Sequence, residues 1–350
     1  MSSEKRPFWQ VVRGICILAV ILIHCPNGLQ YGVGSLQYNT WMILRQVTNI
    51  PVATFIFISG YFVNQDKCSL NPKKYIFSRG LRLVIPFIIW SFVYTGINVI
   101  LTLESGESIN FISLLINFVL GRSAAPFYYI LVLMQLILLT PVLIHLLKKQ
   151  SRLCKWLWLV TPIYLIWVYV YSYIFHVQPP LYATLFPAWF IFYYLGLYIN
   201  FISERGMKLR ILQFGTPIYL IVMLIISIIE AAVLIKVGYG GEFACSQIKL
   251  SSFLYAATFI LFLLRSNEYK VNTSILKYIG DYSYAIFYIH ILFIRFSNII
   301  LARIEITKIY SLNFIFTFVI TTILSMLTIK LVRVVCIKLK IEYVLDWIGF

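Results

Sequence analysis

The sequence predicts an all-α, polytopic membrane bundle of about ten transmembrane helices with both termini in the cytoplasm. Three observations predict it. Charged residues make up 12% of the 350 and hydrophobic ones 61%, whereas a soluble domain carries roughly 25% charged residues. The apolar residues gather in runs of about 20, enough for a helix to cross a hydrocarbon core. Such runs must be helical, because lipid offers no partner to an unpaired backbone group. The cationic residues alternate between loops. If the N-terminus is cytoplasmic, the outer side holds only Arg45, Arg122, Lys236, Lys249, Arg295, Arg303 and Lys308, which leaves 22 of the 29 Lys and Arg inside.

The spans lie at 9–26, 44–63, 81–103, 127–147, 156–175, 182–202, 212–235, 249–265, 282–302 and 311–335. Lys5 and Arg6 precede the first run as they would in a signal peptide. However, Arg13 and Gly14 interrupt the run and no small-x-small cleavage site follows, so it reads as a retained first span. Segment 109–120 is apolar but short, and reads as an interfacial or re-entrant piece. Residues 1–350 read as one membrane domain.

The formal net charge of +17 belongs to the cytoplasmic loops and implies no nucleic-acid partner. Cys16, Cys25, Cys68, Cys154, Cys245 and Cys336 show neither a CxxC nor a regular spacing, so no disulfide framework and no metal site is expected.

Ionisable residues at membrane depth are costly, so each is a functional candidate. Arg13 and His24 share the first span. Eleven residues bring the helix round to within about 20° of the same direction and roughly 16 Å further along its axis. One stripe therefore joins a cation at the cytoplasmic mouth to a deep imidazole. Arg79 and Arg82, in FSRGLRLVIP at the start of the third span, share a face and offer two planar forks suited to phosphate. In the ninth span Ser283 and His290 share one face, while Tyr284 and Tyr288 share another. Glu230, in LIISIIEAAVLI, reads either as a substrate contact or as a residue near the outer interface. Gln135, Asn98 and Ser59 read as interhelical hydrogen bonders, and His145 and His176 as interfacial.

In order along the chain come RGICILAVILIH (13–24), FIFISGYF (55–62), Arg79-x-x-Arg82, PFYYILVLMQLILLTPVL (126–143), YYLG (193–196) and IGDYSYAIFYIH (279–290). Together, over roughly residues 8 to 335, they resemble the membrane acyltransferase 3 family. One departure is Phe127-Tyr128-Tyr129, where the family often has a tryptophan followed by an aromatic. The resemblance implies an O-acyltransferase of the bacterial cytoplasmic membrane. It would move an acyl group, usually acetyl, from acyl-CoA to a sugar hydroxyl of a surface polysaccharide or its lipid-linked precursor. The expected partners are acyl-CoA, a glycan acceptor and the bilayer, with no permanently bound cofactor.

On that expectation His24 is the catalytic residue, as base or as nucleophile. Arg13, Arg79 and Arg82 bind the acyl-CoA, and Ser283, Tyr284, Tyr288 and His290 are candidate contacts to the acceptor or the oxyanion. The rival reading is a non-enzymatic glycan or lipid carrier. It accounts for the spans and the buried polar groups, but not for paired arginines at the mouth together with R-x10-H.

Overall fold

The computed structural model describes residues 7–175, 177–203, 205, 210–266 and 273–350. His176 lies outside these, as do Lys5, Arg6, Lys208 and Lys270 of the charge count. Every regular element among the described residues is helical. The chain forms two compact units.

The first unit takes the described residues of Met1–Ile58, Tyr169–Gln178 and Gly206–Leu331, and the second those of Ser59–Val168, Pro179–Arg205 and Val332–Phe350. In chain order the helices are α1 Pro7–His24, α2 Leu36–Val47, α3 Pro51–Tyr61, α4 Gln65–Leu70, α5 Pro72–Glu104 and α6 Phe111–Val119. Next come α7 Tyr128–Lys148, α8 Leu153–Trp156, α9 Val160–Phe175, α10 Phe190–Ser203, α11 Pro217–Lys236 and α12 Gly241–Ala244. The last are α13 Leu250–Ser266, α14 Ser274–Asp281, α15 Ser283–Arg303, α16 Tyr310–Lys338 and α17 Tyr343–Ile348.

Among the described residues, eight helical stretches are long and apolar enough to cross a membrane, and two further apolar helices, α10 and α13, are shorter. These ten fall on the ten predicted segments. The short segment at 109–120 contains only the nine residues of α6, none of them buried.

Three boundaries differ from the prediction, each for a local reason. The second span is two helices. Proline at 51 has no amide hydrogen and disfavours helical backbone at Ile50, so α2 ends at Val47 and α3 starts at Pro51. The Asn49 side chain closes the break by donating to the carbonyls of Cys245 (3.3 Å) and Ser246 (3.1 Å).

The sixth span is helical only from Phe190. Pro179, Pro180 and Pro187 hold the preceding stretch in turns. Gln135 clasps that stretch from both sides, donating to Thr184 O at 2.9 Å and accepting from Phe186 N at 3.0 Å. Gln135 is therefore the inter-element hydrogen bonder its sequence position suggested, and Asn98, donating to Ser123 O at 3.2 Å, is another.

The third span belongs to a 33-residue helix capped by Asn71, whose side chain accepts from Lys74 N. Arg79 and Arg82 consequently sit two turns inside α5 rather than opening it.

Within the first unit, α1 and α14 approach until their backbones touch. A Cβ on Gly280 would overlap the Gln10 carbonyl of α1, and one on Gly14 would overlap the Leu276 carbonyl of α14. Only glycine permits so close a crossing.

Lys249, counted above as an outer cation, is fully buried. Its ammonium donates to Ser227 O (2.8 Å), Ser227 Oγ (2.9 Å) and Ser251 Oγ (2.8 Å), and lies 3.5 Å from Glu230 Oε2. Glu230 also accepts from Ser251 N at 3.0 Å and from the Tyr169 hydroxyl. Glu230 is thus one half of an ion pair between α11 and the start of α13, which is a structural use of the charge.

Two predictions follow from these contacts. Gly280→Ala should lower the thermal unfolding temperature in detergent sharply and reduce membrane yield. Gly80→Ala, where a Cβ meets nothing within 4 Å, should be neutral or stabilising by up to about 1 kcal/mol. Equal tolerance at both positions would contradict the crossing. Lys249→Met strands the Glu230 carboxylate and should cost on the order of 3 kcal/mol, read by the same unfolding assay. A loss within a few tenths of that of an exposed lysine substitution would show that the pair is not formed.

Candidate active site

The site grows out of the α1–α14 crossing. Helix α1 runs unbroken from Pro7 to His24, so Arg13 and His24 lie on one face, as their spacing requires. Arg13 is half-buried, and its Nη1 lies 3.5 Å from the Gln10 side-chain oxygen one turn back. His24 ends the helix, because Pro26 cannot continue it.

Only Tyr282 separates α14 from α15. Fixing α14 against α1 therefore fixes the start of α15 as well, and α15 carries His290. The His24 and His290 rings stand 5.4 Å apart between centroids, tilted by 45°. The structure thus joins the histidines from the two ends of the chain.

Their environments differ. His290 is fully buried, and its Nδ1 lies 3.0 Å from Ile286 O. A carbonyl oxygen only accepts, so Nδ1 carries the proton and Nε2 keeps its lone pair. That Nε2 is buried without a hydrogen-bond partner among the described residues, and a buried polar atom left so marks a functional candidate. His24 is half-buried and lines a cavity of about 400 Å³. The other walls are Cys25, Pro26, Asn27, Gln30, Asn298, Thr307 and Asn313.

Arg45 of α2 donates to the Ile23 carbonyl at 3.4 Å. It satisfies one of the exposed carbonyls at the end of α1 and places a cation at the negative end of that helix dipole, next to His24. In sequence Arg45 was only one of the outer cations. Its proximity to His24 depends on the chain folding back after Pro26, which no local pattern shows.

Ser283 begins α15 and is buried. The Tyr284 and Tyr288 hydroxyls are 2.9 Å apart, with Tyr288 fully buried. Two residues of helix are about 200°, so Tyr288 lies on the side of α15 away from His290. The predicted contacts thus divide into His290, which meets His24, and a tyrosine pair on another face. In the second unit Arg79 and Arg82 are exposed on one face of α5. The Arg79 guanidinium stands 6.0 Å from the centre of the buried Tyr75 ring. His145 is exposed in the last turn of α7.

The cavity amides escaped sequence reasoning. Asn298 and Asn313 are polar residues inside predicted spans and could have been flagged on that ground. Asn27 lies in the connection after α1, Gln30 and Thr307 lie in short 3-10 turns between spans, and none of the three gave a signal. Among the described residues no group of three His, Cys, Asp or Glu is placed to hold a metal ion.

Comparison with known proteins bears on what this geometry does. A family described as "Acyltransferase domain" matches residues 6–330. A relative from Bacillus subtilis (strain 168), whose name is "Putative membrane-bound acyltransferase YfiQ", is 24% identical over 314 residues, covering 83% of this chain and 82% of that protein. No solved structure matches. With the family match running through both histidines and nearly the whole chain, and with eight helical stretches among the described residues fit to cross a bilayer, the chain belongs to the acyltransferase 3 family and is a multi-pass membrane acyltransferase.

Proposed function

We propose that this chain is an O-acyltransferase of the bacterial cytoplasmic membrane, moving acetyl from acetyl-CoA to a sugar hydroxyl of a surface polysaccharide or its lipid-linked precursor. The observation that carries this reading is the meeting of His24 and His290 at the edge of a polar cavity. A thioester is already activated. The protein has to deprotonate the incoming hydroxyl and hold the charge that develops on the carbonyl oxygen.

His24 takes the hydroxyl proton, a role worth roughly 10² to 10⁴-fold in rate. The freed oxygen attacks the thioester carbonyl and forms the new C–O bond. The tetrahedral intermediate then expels the CoA thiolate as the C–S bond breaks. The imidazolium returns its proton to that sulfur, giving the ester and CoA-SH. His290, with its proton on Nδ1, offers Nε2 as an acceptor to the His24 ring or to the acceptor hydroxyl, and so orients whichever it meets. In a two-step variant His24 itself carries the acyl group before the hydroxyl attacks.

The donor assignment rests on charge. The orientation count puts Arg13, Arg79 and Arg82 on the cytoplasmic side, where CoA is found, and guanidiniums match phosphate oxygens in pairs. The acceptor hydroxyl then arrives from the His24 end of α1.

The test is CoA release by the purified chain in proteoliposomes. His24→Ala should reduce acetyl-CoA turnover at least 10²-fold while leaving yield and unfolding temperature unchanged, and full turnover in that variant would overturn the assignment. Arg79→Ala with Arg82→Ala should raise KM for acetyl-CoA by about tenfold or more while changing kcat less. An unchanged KM would remove the phosphate role. Radiolabelled acetyl-CoA given without acceptor should label His24 only if the two-step route operates.

A further inference from the structure

We propose that the cavity beside His24 is the acceptor site, and that it selects an uncharged, hydroxyl-rich group such as a neutral sugar unit. The inference rests on the acyltransferase reading above and adds the chemistry and the location of the second substrate.

The cavity draws on three separate parts of the first unit: the chain after α1, the outer half of α15, and the stretch leading into α16. Its volume of about 400 Å³ falls within the range of small-molecule sites, but its lining does not resemble a usual drug-like pocket, which is mainly apolar. Four primary amides, Asn27, Gln30, Asn298 and Asn313, stand there with the Thr307 hydroxyl and the His24 imidazole. None of the lining residues is Lys, Arg, Asp or Glu.

That composition discriminates between ligands. An anionic headgroup or a sugar acid would call for a guanidinium or ammonium in the wall, and an acyl chain would call for an apolar wall. A sugar hydroxyl donates one hydrogen bond and accepts others, and a primary amide also does both. Asn298 and Asn313 are partly oriented already. The Thr317 hydroxyl lies 3.4 Å from each of their side-chain oxygens, and Thr317 is itself fully buried. The single Thr317 proton goes to one of these oxygens, which leaves that residue's amino group to donate. A sugar held there would have a hydroxyl within reach of His24.

The experiment uses the full chain in proteoliposomes with acetyl-CoA. The probes are methyl β-D-glucoside and methyl β-D-galactoside, with methyl β-D-glucuronide as the anionic counterpart. A neutral glycoside should accelerate CoA release saturably and yield the acetylated sugar, while the glucuronide should not. Asn313→Leu and Asn298→Ala should each raise KM for the glycoside about tenfold, the equivalent of one good hydrogen bond, with a much smaller change in KM for acetyl-CoA. Unfolding temperatures report whether each variant is folded, and Asn313→Asp, which keeps the shape and loses the donor, serves if the leucine variant is not.

Unchanged glycoside KM in folded variants would overturn the proposal, and so would preferential use of the glucuronide. If neither glycoside accelerates release while a slow His24-dependent hydrolysis of acetyl-CoA persists, the proposal fails and the acyltransferase reading stands. If no His24-dependent turnover of acetyl-CoA exists at all, it is the donor reading that fails.

Discussion

The contact on which the site depends is the backbone crossing of α1 and α14 at Gly14 and Gly280. In lipid, helices gain little from hiding apolar surface from one another, so close backbone approach and polar contacts have to hold them together. Here two small residues remove the side chains that would keep the helices apart. Because α14 passes into α15 after a single residue, the crossing also sets where His290 lies relative to His24. A requirement of helix packing thereby becomes a requirement of the chemistry, and IGDYSYAIFYIH holds both parts of it in one stretch.

The buried polar groups of the first unit fall into two kinds once their partners are counted. Lys249 has three hydrogen bonds and a carboxylate, and Asn49, in the α2–α3 break, donates to the Cys245 carbonyl. The Lys249 ammonium and the Asn49 amino group are satisfied as donors, and they act as ties between elements that the bilayer cannot hold together for them. His290 Nε2 is buried without a hydrogen-bond partner among the described residues, a condition it shares with the Asn49 side-chain oxygen, but it stands beside a second imidazole that lines a cavity. Asn298 and Asn313 line that cavity. The juxtaposition of the His290 and His24 rings at a polar cavity marks the site more sharply than depth in the membrane does.

Much of the fold could be read from the residues in advance. Ten apolar segments were visible because each is a local run, and the shared face of Arg13 and His24 followed from helical pitch alone. The breaks were harder. Pro51 is a strong local signal inside an otherwise continuous apolar stretch, and the span length outweighed it. The turns before Phe190 depend on Gln135 reaching them from another helix. The site was legible in its members but not in its arrangement. His24 and His290 are 266 positions apart, and nothing local says that they meet. Lys249 read as an outer cation and Glu230 as a substrate contact or an interfacial residue, because a pair is visible only in space. Arg45 and the cavity amides depend on the same long-range folding.

The central claim is that α1 and α15 bring His24 and His290 side by side. Crosslinking tests it most directly, with cysteines in place of both histidines, the native cysteines replaced by serine, and a short bismethanethiosulfonate reagent added to the membrane-embedded chain. The structure predicts an efficient intramolecular link between the two positions, located by peptide mass spectrometry. It predicts none when the second cysteine replaces Arg303, roughly 20 Å further along α15. Failure to link His24→Cys with His290→Cys, or equal linking to position 303, would contradict the account.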